Sequence, residues 1–228
     1  MNLKRDIIQF SQSIGIDRVG FTDASPFLKE REILWERKDI GLISPFEEQD
    51  IDLRCYPGNL MPGAKTIICF AIGYLVAPLV FEETKGATEK IKYKGKFSRY
   101  AMVSDYHYIL ADKLKAIVQY ILSKCNGRFQ IYIDTGSLID KAAAQRAGIG
   151  WIGENTCLFT PDFGSWVFLG EILTDIEIEP DEPIKSQCDH CGKCVKACPT
   201  GALIAPYTIN PFRCLSYITQ MRGTIPEE

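Results

Sequence analysis

Cys188-Asp189-His190-Cys191-Gly192-Lys193-Cys194-Val195-Lys196-Ala197-Cys198-Pro199 is the run on which the reading of this chain turns. Its spacing, Cys-x2-Cys-x2-Cys-x3-Cys-Pro, is the ligand pattern of bacterial-ferredoxin-type [4Fe–4S] clusters. Three thiolates on one tight loop reach three corners of a cubane, with backbone N–H groups turned toward its sulfides. Gly192 suits the tight backbone. A structural zinc site would favour two well-separated Cys pairs or Cys/His pairs, so the overlapping triple spacing favours a cluster. His190, between two of the ligands, is expected to be a solvated loop residue.

The ligand count sets a condition. Cys188, Cys191 and Cys194 leave one corner of a cluster open. The fourth cysteine of such a run, here Cys198, usually serves a different cluster in two-cluster proteins. Cys214 can supply one ligand more. Either one cluster forms from a rearranged set that includes Cys198 or Cys214, or the sequence is a fragment of a longer chain. The candidate metal ligands are therefore Cys188, Cys191, Cys194, Cys198 and Cys214. Cys55, Cys69, Cys125 and Cys157 stand alone. Cys69 lies in an apolar run and reads as a small buried hydrophobe, and Cys125, at a helix end, as incidental.

Outward from this run, composition narrows the class. The chain has 228 residues, 46% of them hydrophobic and 11% aromatic, enough for one good core with a small appendage. Four of the nine cysteines fall close together, which argues against a disulfide framework and for metal in a reducing compartment. The longest apolar run, Thr66 to Val80, is broken by Gly73 and Pro78, so no membrane span is expected. The N-terminus carries Lys4, Arg5 and Asp6 ahead of an amphipathic pattern, unlike a signal peptide, and a cytoplasmic location is the default. The formal net charge of −3 gives the whole chain no attraction for a polyanion, so nucleic-acid contact requires a local basic patch or further residues.

Periodicity then places the elements. Residues 3–14 read as an amphipathic helix, followed by the short strand Arg18–Phe21. Ser25-Pro26 is expected to cap and start a helix running to about Lys38. Residues 41–63, rich in Pro and Gly, read as loop. Thr66–Ile72 reads as a buried strand, residues 82–96 as an exposed charged loop, and Tyr106–Ser123 as a long helix. Gln130–Ile133 is expected to be a strand and residues 137–147 a helix. Cys157–Thr160 and Ser165–Leu173 read as a hairpin across Pro161-Asp162-Phe163-Gly164. Residues 177–182, acidic and Pro-containing, read as a linker. The expectation is an α/β domain over residues 1–180 followed by a partial ferredoxin-like domain over 181–228.

A second candidate site lies at Asp134, which ends a predicted strand before Thr135-Gly136. In an α/β sheet this is where ligands and catalytic groups gather; the rival reading is an N-cap for the next helix. A carboxyl group desolvated there by a bulky apolar cofactor would hold a proton to donate. The run Gln145 to Gly153 is Gly-rich but is not a GxGxxG fingerprint after a strand, so a nicotinamide site is rejected. Arg99-Tyr100 and Asp105-Tyr106-His107 form a further polar and aromatic cluster. Asp105 reads as a helix N-terminal residue and His107 as a capped or packed histidine.

The stretches IDTGSLIDKAAAQRAGIGWIGENTCLFTPDFGSWVFLGEILTDIEIEPD (133–181) and CDHCGKCVKACPTGALIAPYTINPFRCLSYITQ (188–220) closely resemble the epoxyqueuosine reductase family. So do RYAMVSDYH (99–107), LMPGAKTII (60–68) and SIGIDRVGFT (13–22), so that the resemblance covers essentially the whole chain. Reductive dehalogenases are the more distant relatives. The resemblance implies a reductive-dehalogenase-like α/β domain that binds cobalamin base-off, with two [4Fe–4S] clusters in the family. It implies reduction of epoxyqueuosine to queuosine in tRNA, the last step of queuosine biosynthesis, with electrons from an external donor such as a flavodoxin or ferredoxin. Asp134 matches the family's proposed proton donor. Motif matching implies cobalamin contacts at Arg54, Ser98, Asp134, Leu158, Leu169 and Ser216; for Leu158 and Leu169 the rival reading is ordinary core.

The chain departs from the family pattern at Val103-Ser104, where Gly and a basic residue are usual, and at Ser137, where Pro is usual. The family continues past Glu228 to a second Cys group and a helical-repeat tRNA-binding tail, so a truncated chain is expected, with the outer face of its ferredoxin-like unit exposed. The alternative function is a non-catalytic iron–sulfur electron carrier or remnant. A reductive dehalogenase is the third reading, weakened because Lys4-Arg5 is not the twin arginine with which those enzymes are often exported.

Overall fold

A computed structural model describes residues 2–75, 98–102, 104–134 and 136–225. The loop expected over residues 82–96 and the end of the Thr66–Val80 run lie outside the described residues. The sheet is built on β2 (Thr66–Gly73), whose first six residues are all buried. Such a run is apolar on both faces because both faces are covered. β1 (Arg18–Asp23) and β6 (Val167–Thr174) flank it, and β3 (Phe129–Tyr132) adds to β6, for an order β1-β2-β6-β3. All three pairings are antiparallel, so the parallel-sheet rule is not what places Asp134.

Two helices cover one face. In α1 (Leu3–Ser13), the Asn2 side chain accepts from the Arg5 amide at 3.2 Å and Ile7 points inward. In α5 (Tyr106–Leu122), Leu110, Leu114, Ile117 and Ile121 recur at helical spacing and are buried. They pack with Phe21, Ile68, Phe70 and Ile172. Each such fully buried side chain contributes about 1.5–3 kcal/mol. The other face takes α2 (Leu28–Asp39), α3 (Ile51–Cys55) and α6 (Asp140–Arg146), through Leu34, Ile51, Cys55 and Ala142 to Ala144, against Ile67, Cys69 and Leu173.

Several boundaries correct the sequence reading. Ser25 does not cap α2; its hydroxyl bonds Asp23. The chain is instead pinned at buried Phe27, whose amide donates to the Cys55 carbonyl at 2.8 Å, and the helix starts after it. Residues 41–63 are not all loop. Asp50 caps α3 by accepting from the Leu53 amide at 2.9 Å, and Pro57 opens α4 (Pro57–Leu60) at its first position. The helix expected from residue 137 starts at Asp140 with Ile139 as its cap, so Asp134 is not an N-cap. The expected hairpin is also absent as such. β5 (Leu158–Phe159) pairs with β4 (Trp151–Ile152), while β6 joins the main sheet, leaving a lone bridge from Thr160 to Gly164.

α6 ends hard against β1. A Cβ on Gly20 would lie 2.1 Å from the Ala147 carbonyl oxygen, which is backbone and cannot swing aside. Gly20→Ala is expected to cost about 3 kcal/mol, read as a lower denaturation midpoint at unchanged slope.

Residues 177–192, which carry no regular element, lead into the cysteine-rich unit and include its first two cysteines. That unit holds α7 (Lys193–Ala197), the hairpin β7 (Leu203–Ala205) and β8 (Thr208–Ile209), and α8 (Leu215–Ile218). The Tyr207 amide donates to the Glu154 carbonyl at 2.8 Å, and Tyr217 packs on Phe46 with ring centroids 5.2 Å apart. Ile204, Tyr207, Phe212, Leu215 and Ile225 are exposed.

Candidate functional site

Asp134 sits just past the end of β3, with φ 54°, a left-handed conformation that a non-glycine residue seldom adopts. The β3–β6 register pairs Tyr132 with Glu171; extended by two residues, it would set Asp134 across from Leu169. The Asp134 side chain is exposed and accepts a hydrogen bond from the Tyr106 hydroxyl. Burial, and then the Asp134 carboxylate that accepts its proton, push the Tyr106 phenol well up. Tyr106 stacks on Phe168 of β6, centroids 3.9 Å apart, which holds the hydroxyl in place.

His107 stands next to it. Asp105 caps α5, and its Oδ1 accepts from the His107 amide at 2.9 Å and faces Nδ1 of the same imidazole at 2.7 Å. These contacts, amide first, hold the Asp105 carboxyl below its ordinary range. With Nδ1 carrying the proton toward Asp105, Nε2 is turned to Asp134, 3.8 Å from its Oδ2. Nε2 has no hydrogen-bond partner among the described residues. Tyr106, His107 and Asp134 thus converge on one point at the end of the sheet. Asp105 is the helix N-terminal residue expected, and His107, expected to be capped or packed, has its ring fixed by that cap with its other nitrogen turned toward the acid. The signal was Asp-Tyr-His at a helix start, where a capping carboxylate two residues before a histidine fixes its ring.

A cavity of about 250 Å³ beside Asp134 is lined by Arg54, Glu47, Glu48, Leu138, Asp140 and Lys141 among others. Arg54 pairs with Glu47 at 3.1 Å, and Arg37 binds the same carboxylate at 2.9 Å. Burial alone would raise Glu47, yet Arg37, the Ser44 amide and Arg54 hold it below its ordinary value. Arg54 and Asp134 therefore share a pocket. Leu169 is half-buried at the edge of the core, and Leu158 lies within it, 4% exposed. Ser98 and Ser216 are exposed.

Among the cysteines, Cys188, Cys194, Cys198 and Cys214 are half-buried and Cys191 is exposed, and all are free thiols. Gly192 (φ 67°) and His190 (φ 55°) supply the left-handed turns that fold the run back. The amide of Leu203, the Thr200 hydroxyl and the amides of Ala202 and Thr200 lower the Cys198 thiol, as a thiolate ligand requires. A tetrahedral zinc site with Zn–S of about 2.3 Å needs its sulfurs roughly 3.8 Å apart. Among the described residues no three cysteine sulfurs come within 4.8 Å of one another. His190 is not simply solvated: its Nδ1 lies 3.0 Å from a carboxylate oxygen of buried Glu154, and the two group with Cys188.

Comparisons with known proteins follow this geometry. The family described as epoxyqueuosine reductase QueG, DUF1730, matches residues 54–135, and the 4Fe-4S double cluster binding domain matches residues 187–228. An epoxyqueuosine reductase from Bacillus cereus is 41% identical over 99% of this chain and 59% of its own length. A solved epoxyqueuosine reductase with a tRNA-Tyr epoxyqueuosine-modified stem loop superposes with a TM-score of 0.92 at 39% identity, over 99% of this chain and 59% of that one. A second, from Bacillus subtilis, solved with its catalytic loop swung out of the active site, has a TM-score of 0.88 at 38% identity, over the same shares. A reductive dehalogenase structure shares the fold at a TM-score of 0.59 and 17% identity, over 96% of this chain and 30% of its own. The chain spans about three-fifths of the length of the curated relatives it matches.

Proposed function

We propose that this chain, a member of the epoxyqueuosine reductase family by sequence and fold, forms the cofactor-bearing part of an enzyme that reduces epoxyqueuosine in tRNA to queuosine. The observation that carries this reading is the convergence of Asp134, Tyr106 and His107 at the open end of the sheet. Cobalamin, when bound, supplies a low-valent metal able to take the epoxide carbon–oxygen bond apart by electron transfer. The residues proposed to hold it are Arg54, Ser98, Asp134, Leu158, Leu169 and Ser216. The half-buried Leu169 offers an apolar surface and Arg54 and the serines offer polar groups for the corrin's amide arms, a donor set that suits such a ring. Cys188, Cys191, Cys194, Cys198 and Cys214 would be iron–sulfur ligands, and iron–sulfur chemistry there would allow single electrons to come from a donor of the flavodoxin or ferredoxin class.

The chain's own residues handle the proton. Asp134 is the general acid: it protonates the epoxide oxygen as the bond to carbon breaks and so neutralises the developing alkoxide. Tyr106 aims that carboxyl group. His107, its tautomer set by Asp105, turns an unprotonated Nε2 toward the Asp134 carboxyl group, where it can accept a hydrogen bond from the acid's proton and so help position it. Asp134 is held in a sparsely populated backbone conformation, which suits a loop with a second position; the loop of the Bacillus subtilis relative is swung out. We place the protein in the cytoplasm with its tRNA substrate. No helix among the described residues is long and apolar enough to cross a membrane.

Tyr106→Phe keeps the stacked ring and removes the hydroxyl. A hydrogen bond to a charged group is worth about 1.5–3 kcal/mol, so turnover is expected to fall roughly ten- to a hundredfold. Steady-state kinetics on an epoxyqueuosine stem loop checks this; turnover equal to wild type would remove Tyr106 from the site.

A further inference from the structure

Two acids behind Asp134 have no part in the chemistry above. Glu171 stands in the middle of β6 at 0% exposure, between Cys69 of β2 and Tyr132 of β3 in register. Its neighbours on that face of the strand are Leu169 and Leu173, in the core that α6 covers. Neither of its carboxyl oxygens has a hydrogen-bond partner among the described residues, and neither has Asp140 Oδ1. Asp140 is the first residue of α6 and lines the same cavity as Asp134. An ionised carboxylate with no donor around it is costly to bury, and a second acid whose charge reaches it raises the cost. The neutral, protonated form is the one this packing accommodates.

The charges facing the pair come from every element around it. Burial, then Asp140 and Asp134, push the Glu171 carboxyl well above its ordinary range. Burial and the Asp134 carboxylate push Asp140 up to about 7, against Lys141 and Arg54. Neither cation is committed to the pair: Lys141 donates to the Thr156 carbonyl at 2.9 Å and Arg54 pairs with Glu47. The Cys69 thiol and the Tyr132 phenol beside Glu171 are both raised by burial and stay neutral. Arg146 acts on Cys69 and is bound to Thr22, Asp23 and Ser25.

The reaction gives such a pair a use. Removing an epoxide oxygen to leave a carbon–carbon double bond breaks two C–O bonds. It consumes two electrons, here from a one-electron carrier protein through the clusters, and two protons, and it releases the oxygen as water. Asp134 has one proton to give. We propose that Asp140 and Glu171 store a proton behind Asp134 and recharge it for the second protonation, a proposal that rests on the reductase reading above. Neither acid touches the substrate; both act through Asp134.

The test uses the full-length, cofactor-loaded enzyme and the isosteres Glu171→Gln and Asp140→Asn. The store is filled below the raised value of Asp140 and empties above it, so wild-type turnover is expected to fall as pH rises through about 7. Each variant is expected to bind cobalamin and iron normally, to lose roughly tenfold or more in turnover, and to lose that inflection. Infrared difference spectra are expected to show a protonated carboxylic C=O stretch at neutral pH in the wild type that is missing in Glu171→Gln. An active wild type with both variants unchanged in rate and pH profile overturns the store and leaves the reductase reading standing. A wild type that leaves epoxyqueuosine intact overturns both. Absence of the infrared band at neutral pH overturns the store by itself.

Discussion

Asp134→Asn is expected to lower epoxyqueuosine reduction by roughly 10²- to 10⁴-fold, the span that a positioned general acid supplies. The substitution keeps the size of the side chain and a carbonyl oxygen to accept from the Tyr106 hydroxyl, so the loop need not move. What it removes is the transferable proton. Water has access to the exposed Asp134 position, so a residual rate is expected to persist and to rise as pH falls, because solvent then supplies the proton. Cluster content is expected to stay within error of wild type. Single-turnover assays at several pH values separate the two effects; an Asn variant with the wild-type rate and profile would take the acid role away from Asp134.

Cys191→Ala is expected to have the other large effect, near-complete loss of bound iron and sulfide together with electron delivery. The reason is structural as well as chemical. α7 buries none of its residues, and the region from Cys188 onward contributes few side chains to the interior, chiefly Ala202, Pro211 and Ile218. With so little apolar burial, metal binding supplies most of what orders such a unit. The variant is therefore expected to lose the visible cluster absorbance and to become protease-sensitive after about Asp181. The sheet and its two helical layers, with cores of their own, keep their unfolding midpoint. Retention of the wild-type iron content would remove Cys191 from the ligand set.

Legibility in the sequence follows the strength of the local signal. α1, β2 and α5 can be read directly, because an apolar stripe at helical spacing and an unbroken apolar strand each have one economical explanation. The cysteine run can be read because ligand spacing is local along the chain. The start of α2 cannot: Ser25-Pro26 is a good start signal, but the distant Phe27–Cys55 bond overrides it. Residues 50–60 hide two short helices, since Pro57 reads as a breaker yet sits where a helix accepts it. The partner of β5 is invisible because both Cys157–Thr160 and Ser165–Leu173 alternate like hairpin strands. Gly150 permits the β4–β5 approach: a Cβ there would lie 2.0 Å from the Phe159 carbonyl oxygen. In the site, Asp134 is legible from its motif. Tyr106 and His107 reach it only because α5 packs across β6, a tertiary fact with no sequence period. Glu171 is written inside an apolar strand, Val167-Phe-Leu-Gly-Glu-Ile-Leu-Thr174, where a lone acid is the kind of local inconsistency that marks function.

The most direct test of the account is conversion of an epoxyqueuosine-bearing tRNA stem loop by the full-length protein, reconstituted anaerobically with iron and sulfide, with and without cobalamin, under a low-potential reductant. The modified nucleoside is expected to lose one oxygen only when cobalamin is present, with bound cobalt near one per chain. Iron taken up without cobalt, and the epoxide left intact in both arms, would contradict it and make the protein an electron carrier.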